Sequence, residues 1–287
     1  MSASTLPDVE TTIAGLRSRL DAARAGGSTV ALVPTMGSLH EGHLALVEHA
    51  REVADVVIVS VFVNPMQFGP TEDFERYPRD LEADRAALAG HGVDAVFAPG
   101  ADEMYPSGPV ATRVSAGNLG GMYEGRSRAG HFDGVLTVVA KLLNIAQPTI
   151  AVFGEKDAQQ VFLVQRMVRD LDMRTRIDVV ETVRADDGLA LSSRNAYLDE
   201  RYRRAARTIP DALEAAESAA DRGIDAVIAA AQGVLMGSNE VELDYFALVR
   251  PDTFQSIDDD YHGPARALIA ARVGTTRLID TTLLHLA

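Results

Sequence analysis

Short β-branched apolar runs alternate with longer stretches of helical period through the first two thirds of the chain. The runs cover residues 29–33, 56–63, 95–98, 150–153 and 177–180, each a near-continuous apolar stretch of strand length. That pattern predicts strands buried on both faces. Between them, residues 43–53, 81–89, 132–145 and 157–170 repeat their apolar positions every three or four residues, as core-facing helices do. Regular alternation of strand and helix predicts βαβ units, and hence a Rossmann-like α/β fold: a parallel sheet with helices on both faces. Ligands of such sheets bind beyond the carboxyl ends of the strands where strand order reverses, so chemistry is expected just after each strand.

Beyond residue 183 the pattern changes. An alanine- and arginine-rich stretch, 199–220, reads as helix with a break or bend at Pro210, and 225–235 reads as a second helix. Three alternating segments follow at 242–249, 266–271 and 276–284, separated by turn residues, which predicts an antiparallel sheet. Two domains are therefore expected, a Rossmann-like domain at 1–183 and a smaller α+β domain at 184–287.

Composition narrows the class. At 287 residues, with 47% hydrophobic and 24% charged residues, the chain has ordinary globular usage. It has no cysteine, which excludes disulfides, thiolate nucleophiles and cysteine-bound zinc. The apolar runs fall short of the ~30 Å of a bilayer core, so no membrane span is expected. The opening twelve residues lack the basic and apolar regions of a secretory leader, which makes the cytoplasm the expected compartment. A net charge of -14 argues against nucleic acid or anionic lipid as a partner. It leaves open a small anionic ligand held by a few local donors.

Candidate chemistry sits where the alternation places it. After the first run comes Pro34-Thr35-Met36-Gly37-Ser38-Leu39-His40-Glu41-Gly42-His43-Leu44, a glycine-containing turn with a helix expected to begin near His43. Helix amides after a strand suit a phosphate, and Gly37 and Gly42 permit close backbone approach. His40 and His43, three residues apart, could face one point and donate to charge developing on phosphate. The HEGH string is not the zinc-protease pattern, which needs histidines four apart on an unbroken helix. After the second run, Asn64 and Gln67 flank Pro65; they form either a strand-closing turn or a pair of neutral amides for a carboxylate and hydroxyls. After the fourth, Gly154-Glu155-Lys156-Asp157 opens a helix, with Lys156 suited to phosphate oxygens or else paired on the surface with Asp157. Ser192, Ser193 and Arg194 put two hydroxyls and a guanidinium within three residues, an anion clamp or a polar helix cap. Asp186-Asp187-Gly188 ahead of them reads as a flexible approach.

The H-x-G-H element resembles the signature of the nucleotidyltransferase superfamily, and PTMGSLHEGHL is similar to that of the pantothenate synthetase (pantoate:beta-alanine ligase) family. Matching motifs follow in the same order: Val63-Asn64-Pro65-Met66-Gln67-Phe68, Tyr77-Pro78-Arg79, His131-Phe132 with Gly134, Gly154-Glu155-Lys156-Asp157 and Leu191-Ser192-Ser193-Arg194-Asn195. Similarity covers nearly the whole chain and weakens after Asp199. Ala158 stands where the family usually has a large aromatic, and Ala129 where proline is common before the histidine.

The resemblance implies ATP-dependent condensation of pantoate with beta-alanine through pantoyl adenylate, releasing pyrophosphate and AMP. It assigns catalysis to His43, His40 and Lys156. ATP would be bound by Met36, Gly37, His40, His43, Gly154, Lys156, Asp157, Val183 (through its backbone), Leu191, Ser192, Ser193 and Arg194. Gln67 would touch both pantoate and beta-alanine and Gln160 pantoate, with Asn64 and His131 also on substrate. Mg²⁺ is expected to travel with ATP, Asp84 being the protein contact considered for it. A homodimer through the larger domain and a smaller domain covering the cleft are also implied. The alternatives are another H-x-G-H nucleotidyltransferase, which should carry an extra basic pocket for a phosphorylated acceptor, and a catalytically silent nucleotide-binding regulator.

Overall fold

The computed structural model describes residues 5–70, 72–108 and 110–287. The first four residues, part of the stretch read above for a leader, lie outside them. The chain forms two units, Met1–Gly154 with Gln160–Val180, and Glu155–Gln159 with Glu181–Ala287. The first unit thus ends at Val180 rather than at residue 183, and a five-residue segment after its fifth strand groups with the second.

The first unit is built on six parallel strands: β1 (Asp8–Glu10), β2 (Val30–Thr35), β3 (Val56–Val61), β4 (Ala95–Phe97), β5 (Ile150–Gly154) and β6 (Arg176–Val180), in the order β1-β4-β3-β2-β5-β6. Strand order reverses between β2 and β5, so the segments after these two strands lie at the switch point. The helices are α1 (Ile13–Ala25), α2 (Glu41–Val53), α3 (Leu81–Leu88), the short α4 (Ala101–Met104) and α5 (Glu124–Ser127), then α6 (His131–Ala146) and α7 (Ala158–Asp170).

Side-chain alternation along the strands decides what each face buries. Ala31, Val33, Val57, Val59 and Val152 pack with Leu44, Leu46, Val47 and Ala50 of α2 and with Leu88 of α3. Val30, Leu32 and Ile58 point the other way and are also buried. On that side α6 packs against β2 and α1 against α6. Nearly all of α6 is apolar and buried, as a helix hydrophobic around its whole circumference must be. Its last carbonyls, at Ala146 and Gln147, are capped by Arg24 of α1.

Two expectations change here. The 177–180 run is not buried on both faces: β6 is an edge strand with no buried residue, and Val179 is 38% exposed. The polar Arg176 and Asp178 that interrupt it take its free surface, Asp178 accepting from Arg176 and meeting His49 of α2. β1 and α1 were not expected. Three mostly polar residues form β1, held by Arg19 of α1, which bonds Asp8 at 2.7 Å and Glu10 at 3.0 Å.

The second unit carries the antiparallel sheet β7 (Val241–Val249), β8 (Gly263–Val273), β9 (Thr276–Leu286), with α8 (Glu200–Ala206), α9 (Thr208–Ser218) and α10 (Ile224–Leu235). Small residues let α9 close on the sheet: Ala212, Ala216, Ala267, Ile269 and Ala271 share one core and are buried almost completely. The helical region breaks at Arg207, not at Pro210. Pro210 lies in the first turn of α9, where a missing N–H costs no hydrogen bond.

The segment expected to be a flexible approach is a pinned hairpin. Arg184 and Ala190 pair across it, Gly188 supplies the left-handed turn at φ +83°, and Asp187 takes a bidentate bond from Arg203 at 2.8 and 3.1 Å. Arg184 in turn grips Asp280 of β9 at 2.6 and 3.0 Å, with the Asp280 side chain 1% exposed. Arg184→Met would strand that carboxylate in the core, at a cost of about 3–5 kcal/mol. Adding Asp280→Asn should recover much of the loss. Urea unfolding of both variants beside the parent, followed by circular dichroism, checks this; equal midpoints for parent and Arg184→Met would refute it.

Candidate active site

The loop after β2 is held from below. Thr35 donates its hydroxyl to the Ser60 carbonyl at 2.7 Å and accepts the Gly37 N–H at 3.2 Å. Gly37 and Ser38 both take positive φ, +82° and +53°, which turns successive amides toward α3. There Asp84 Oδ2 accepts Ser38 N–H at 3.2 Å and Oδ1 accepts Leu39 N–H at 2.8 Å. A Cβ at position 37 would lie 2.7 Å from Asp84 Oδ2, so glycine is required twice over. Asp84 is buried, which pushes its pKa above the ordinary carboxylate value, while the two amides pull the other way and Asp80 adds to the rise.

α2 begins earlier than expected, with His40 as its N-cap. His40 Nδ1 accepts Gly42 N–H at 3.1 Å, and His43 Nδ1 reaches back to accept His40 N–H at 3.3 Å. This is a capping box made of two imidazoles, their ring centroids 4.1 Å apart. Because each Nδ1 accepts from a backbone amide, each neutral ring carries its proton on Nε2. The expected phosphate cradle of loop and helix amides is therefore altered: those of Gly37, Ser38, Leu39 and Gly42 already have partners. The two rings stand at the helix start with their protons on Nε2.

Downstream of β3, residues Pro65–Gln67 form a 3-10 turn with Asn64 as its cap. Asn64 is wholly buried and saturated: Oδ1 accepts Met66 N–H at 3.3 Å and the Tyr105 hydroxyl at 2.7 Å, and Nδ2 donates to Gly134 O at 3.2 Å and Gln67 Oε1 at 3.1 Å. In this structure it holds Gln67. Gln67 Nε2 donates to the Met36 sulfur at 3.0 Å, a weak acceptor that a better one can replace. α6 passes so close to this turn that a Cβ on Gly134 would sit 2.2 Å from Met66 O.

His131, expected on substrate, also has both ring nitrogens engaged. Nδ1 donates to Gln67 O at 2.8 Å, and Nε2 accepts from Arg128 at 2.9 Å. Arg128 is itself held by Glu72, at 2.6 and 3.0 Å. Burial, then the Arg128 charge, depress the His131 pKa to about 4. Arg128, Glu72 and Tyr105 were missed by sequence reasoning. Arg128 stood within reach of it, three residues before His131; Tyr105 gave no signal, since the fold alone brings it to Asn64.

Within the second unit, Lys156 sits in a 3-10 turn, Glu155–Asp157, and donates to Leu191 O at 3.2 Å. Leu191 N–H pairs with Val183 O at 3.0 Å. Ser192 caps the next 3-10 turn, its Oγ accepting Arg194 N–H at 3.3 Å. Lys156, Val183 and the start of the Leu191, Ser192, Ser193, Arg194 stretch are thus joined. Glu155 is held by Arg266 at 2.8 Å. In the first unit, Met36, Gln67, Asn64 and His131 form one connected group, with the His40–His43 pair continuing the Asp84-clamped loop. Gly154 ends β5, and Gln160 lies half-buried in the first turn of α7. Among the described residues no cluster of acidic, histidine or cysteine side chains has metal-binding geometry, and no helix is long and apolar enough to cross a membrane.

The chain is similar to known proteins over nearly its whole length. The family model for pantoate-beta-alanine ligase matches residues 8–283. The pantothenate synthetase of Leifsonia xyli is 57% identical over 280 residues, covering 94% of this chain and 97% of its own. The crystal structure of the Thermus thermophilus pantothenate synthetase superposes with a TM-score of 0.90 at 48% identity, covering 96% and 98%. That of the Francisella tularensis pantoate-beta-alanine ligase, complexed with beta-gamma ATP and beta-alanine, gives 0.80 at 34%, covering 96% and 97%.

The His131 pocket predicts an acid sensitivity. The folded ring titrates at about 4 and the unfolded one near 6.5, so its contribution to stability is complete above 6.5 and is lost as pH falls toward 4. The loss amounts to about 3 kcal/mol. Urea unfolding at stepped pH, with His131→Asn alongside, should show this slope in the parent and its absence from the variant; parallel curves would exclude it.

Proposed function

The chain belongs to the pantoate-beta-alanine ligase family and is an enzyme of the ligase class; we propose that it makes pantothenate in two ATP-driven steps through a pantoyl adenylate. In the first, a pantoate carboxylate oxygen bonds to the α-phosphorus of ATP and pyrophosphate leaves. In the second, the beta-alanine amine attacks the acyl carbon and AMP leaves. Both steps need charge compensation and alignment more than covalent help from the protein.

The observation that carries the reading is the imidazole capping box. Neutral rings fixed by backbone amides at both Nδ1 atoms give two rigid Nε2–H donors after β2, at the switch point of the sheet. Donors that need no reorganisation are what a phosphorane-like transition state rewards. His43 is assigned to the α-phosphate, with His40 beside it. Met36, Gly37, Gly154, Asp157, Val183 and Leu191 are assigned to the nucleotide by motif order, and Lys156, Ser192, Ser193 and Arg194 to its phosphates by charge and donor chemistry. Gln67 is assigned to pantoate and beta-alanine, and Gln160 to pantoate.

Mg²⁺ enters as part of the ATP substrate. Asp84 keeps a lone pair on each oxygen, yet its visible work is to clamp the loop, and no step is routed through it. A cytoplasmic homodimer belongs to the same reading, supported by the family resemblance.

His43→Ala and Lys156→Ala should each cut pantoate-dependent pyrophosphate release by about 10²-fold or more while leaving the far-ultraviolet dichroism unchanged. Pyrophosphate release near the parent rate from either folded variant would remove that residue from the mechanism.

A further inference from the structure

Backbone groups cannot reverse their polarity: an N–H only donates and a carbonyl only accepts. Asn64 lies between one of each. Met66 N–H can be met only by Oδ1, and Gly134 C=O only by Nδ2, so the orientation of the Asn64 amide is fixed without distinguishing oxygen from nitrogen by shape. The Tyr105 hydroxyl, 2.7 Å from Oδ1, must then donate. The second Nδ2 hydrogen points at Gln67, which must therefore turn Oε1 toward Asn64 and Nε2 away, to Met36. A flipped Gln67 would set two N–H groups against each other in a buried site, leaving a donor unsatisfied.

We propose that Tyr105 and Asn64 are positioning residues that commit Gln67 to act as a hydrogen-bond donor, so that the pocket selects a substrate presenting an acceptor oxygen there. This rests on the reading of Gln67 as a substrate contact and adds the polarity of that contact and the residues that set it. His131 completes the device by holding the Gln67 carbonyl at 2.8 Å, and the near-contact of Gly134 with the Met66 carbonyl leaves the turn no room to rotate. A pocket of fixed donors discriminates strongly, because a ligand lacking the matching acceptor leaves a buried N–H unmet.

Three variants separate the parts. Asn64→Asp removes both donors, so that Gln67 satisfies the new carboxylate with Nε2 and turns Oε1 outward. Tyr105→Phe removes only the outer hydroxyl and spares the fold should Asn64→Asp disturb it. Gln67→Glu keeps size and acceptors and deletes the donors.

The steady-state arm reads the KM for pantoate against that for ATP. Asn64→Asp and Gln67→Glu should raise the pantoate KM roughly 10- to 100-fold, and Tyr105→Phe by a smaller factor, with the ATP KM unchanged. A Gln67→Glu enzyme with the parent's pantoate KM would overturn the proposal, as would equal rises in both KM values for Tyr105→Phe.

A second arm is independent of activity. In the ligand-free protein a nuclear Overhauser contact should join the Gln67 side-chain amide protons to the Met36 methyl group, and Asn64→Asp should abolish it. Its absence from the parent, or its survival in Asn64→Asp, overturns the proposal. If the parent shows the contact and Asn64→Asp loses it while neither releases pyrophosphate with pantoate, the polarity assignment stands and only the functional reading fails.

Discussion

A buried polar atom needs a partner, and at the carboxyl end of the parallel sheet the protein must supply those partners itself. The fold answers with groups whose polarity is fixed. Asp84 gives its oxygens to the amides of Ser38 and Leu39, His40 and His43 give their Nδ1 atoms to the start of α2, and Asn64 fills all its positions on backbone, tyrosine and glutamine. Each satisfaction fixes a side chain, and each fixed side chain has a second end. The loop, the imidazoles and Gln67 are organised by the same requirement that keeps the core stable.

The same requirement governs Asn64 and His131: both have the chemistry for a substrate, and in this structure their polar atoms hold Gln67. The amides of the glycine loop follow the same logic: bent toward α3 by two positive φ angles, they serve the Asp84 carboxylate. On the proposed reading the chemistry falls to side chains one step further out, the Nε2 atoms of the histidines and the Nε2 of Gln67. A site built in two layers holds its working atoms more rigidly than loops alone could.

Much of the fold was legible because its signals are local. A run of β-branched residues followed by a three-and-four repeat means strand then helix whatever lies elsewhere, and β2, α2, β3 and β5 fall within two residues of their expected limits. The misses have non-local causes. β1 is a strand only because Arg19 and β4 receive it, β6 is exposed because of its place at the sheet edge, and the helix break moved from Pro210 to Arg207 because α9 starts just before the proline. In the candidate site, the motif residues could be named from their order along the chain. The Glu72–Arg128–His131 chain and the Tyr105 hydroxyl could not, since they join residues 41 and 56 positions apart through tertiary packing. The 183–191 segment shows the same limit: two aspartates and a glycine read as mobile, and the distant Arg203 and Asp280 pin them through Asp187 and Arg184.

Charge placement completes the chemistry of the proposed reaction. Only two of the 27 basic residues are lysines, and one of them, Lys156, lies in a motif assigned to phosphate. Around Gln67 the cation is neutralised: Arg128 is matched by Glu72 and gives the turn only a long 3.4 Å bond to the Gln67 carbonyl, beside an imidazole that burial keeps neutral. A bare guanidinium beside a carboxylate nucleophile would bind it tightly in the ground state and lose that attraction as the oxygen bonds to phosphorus, so the added affinity would raise the barrier. Neutral amide donors orient the same carboxylate with a weaker pull. On the proposed reading, positive charge is reserved for the phosphates, where negative charge must be held while pyrophosphate departs, and locally fixed donors would let a chain of net charge -14 bind an anionic substrate.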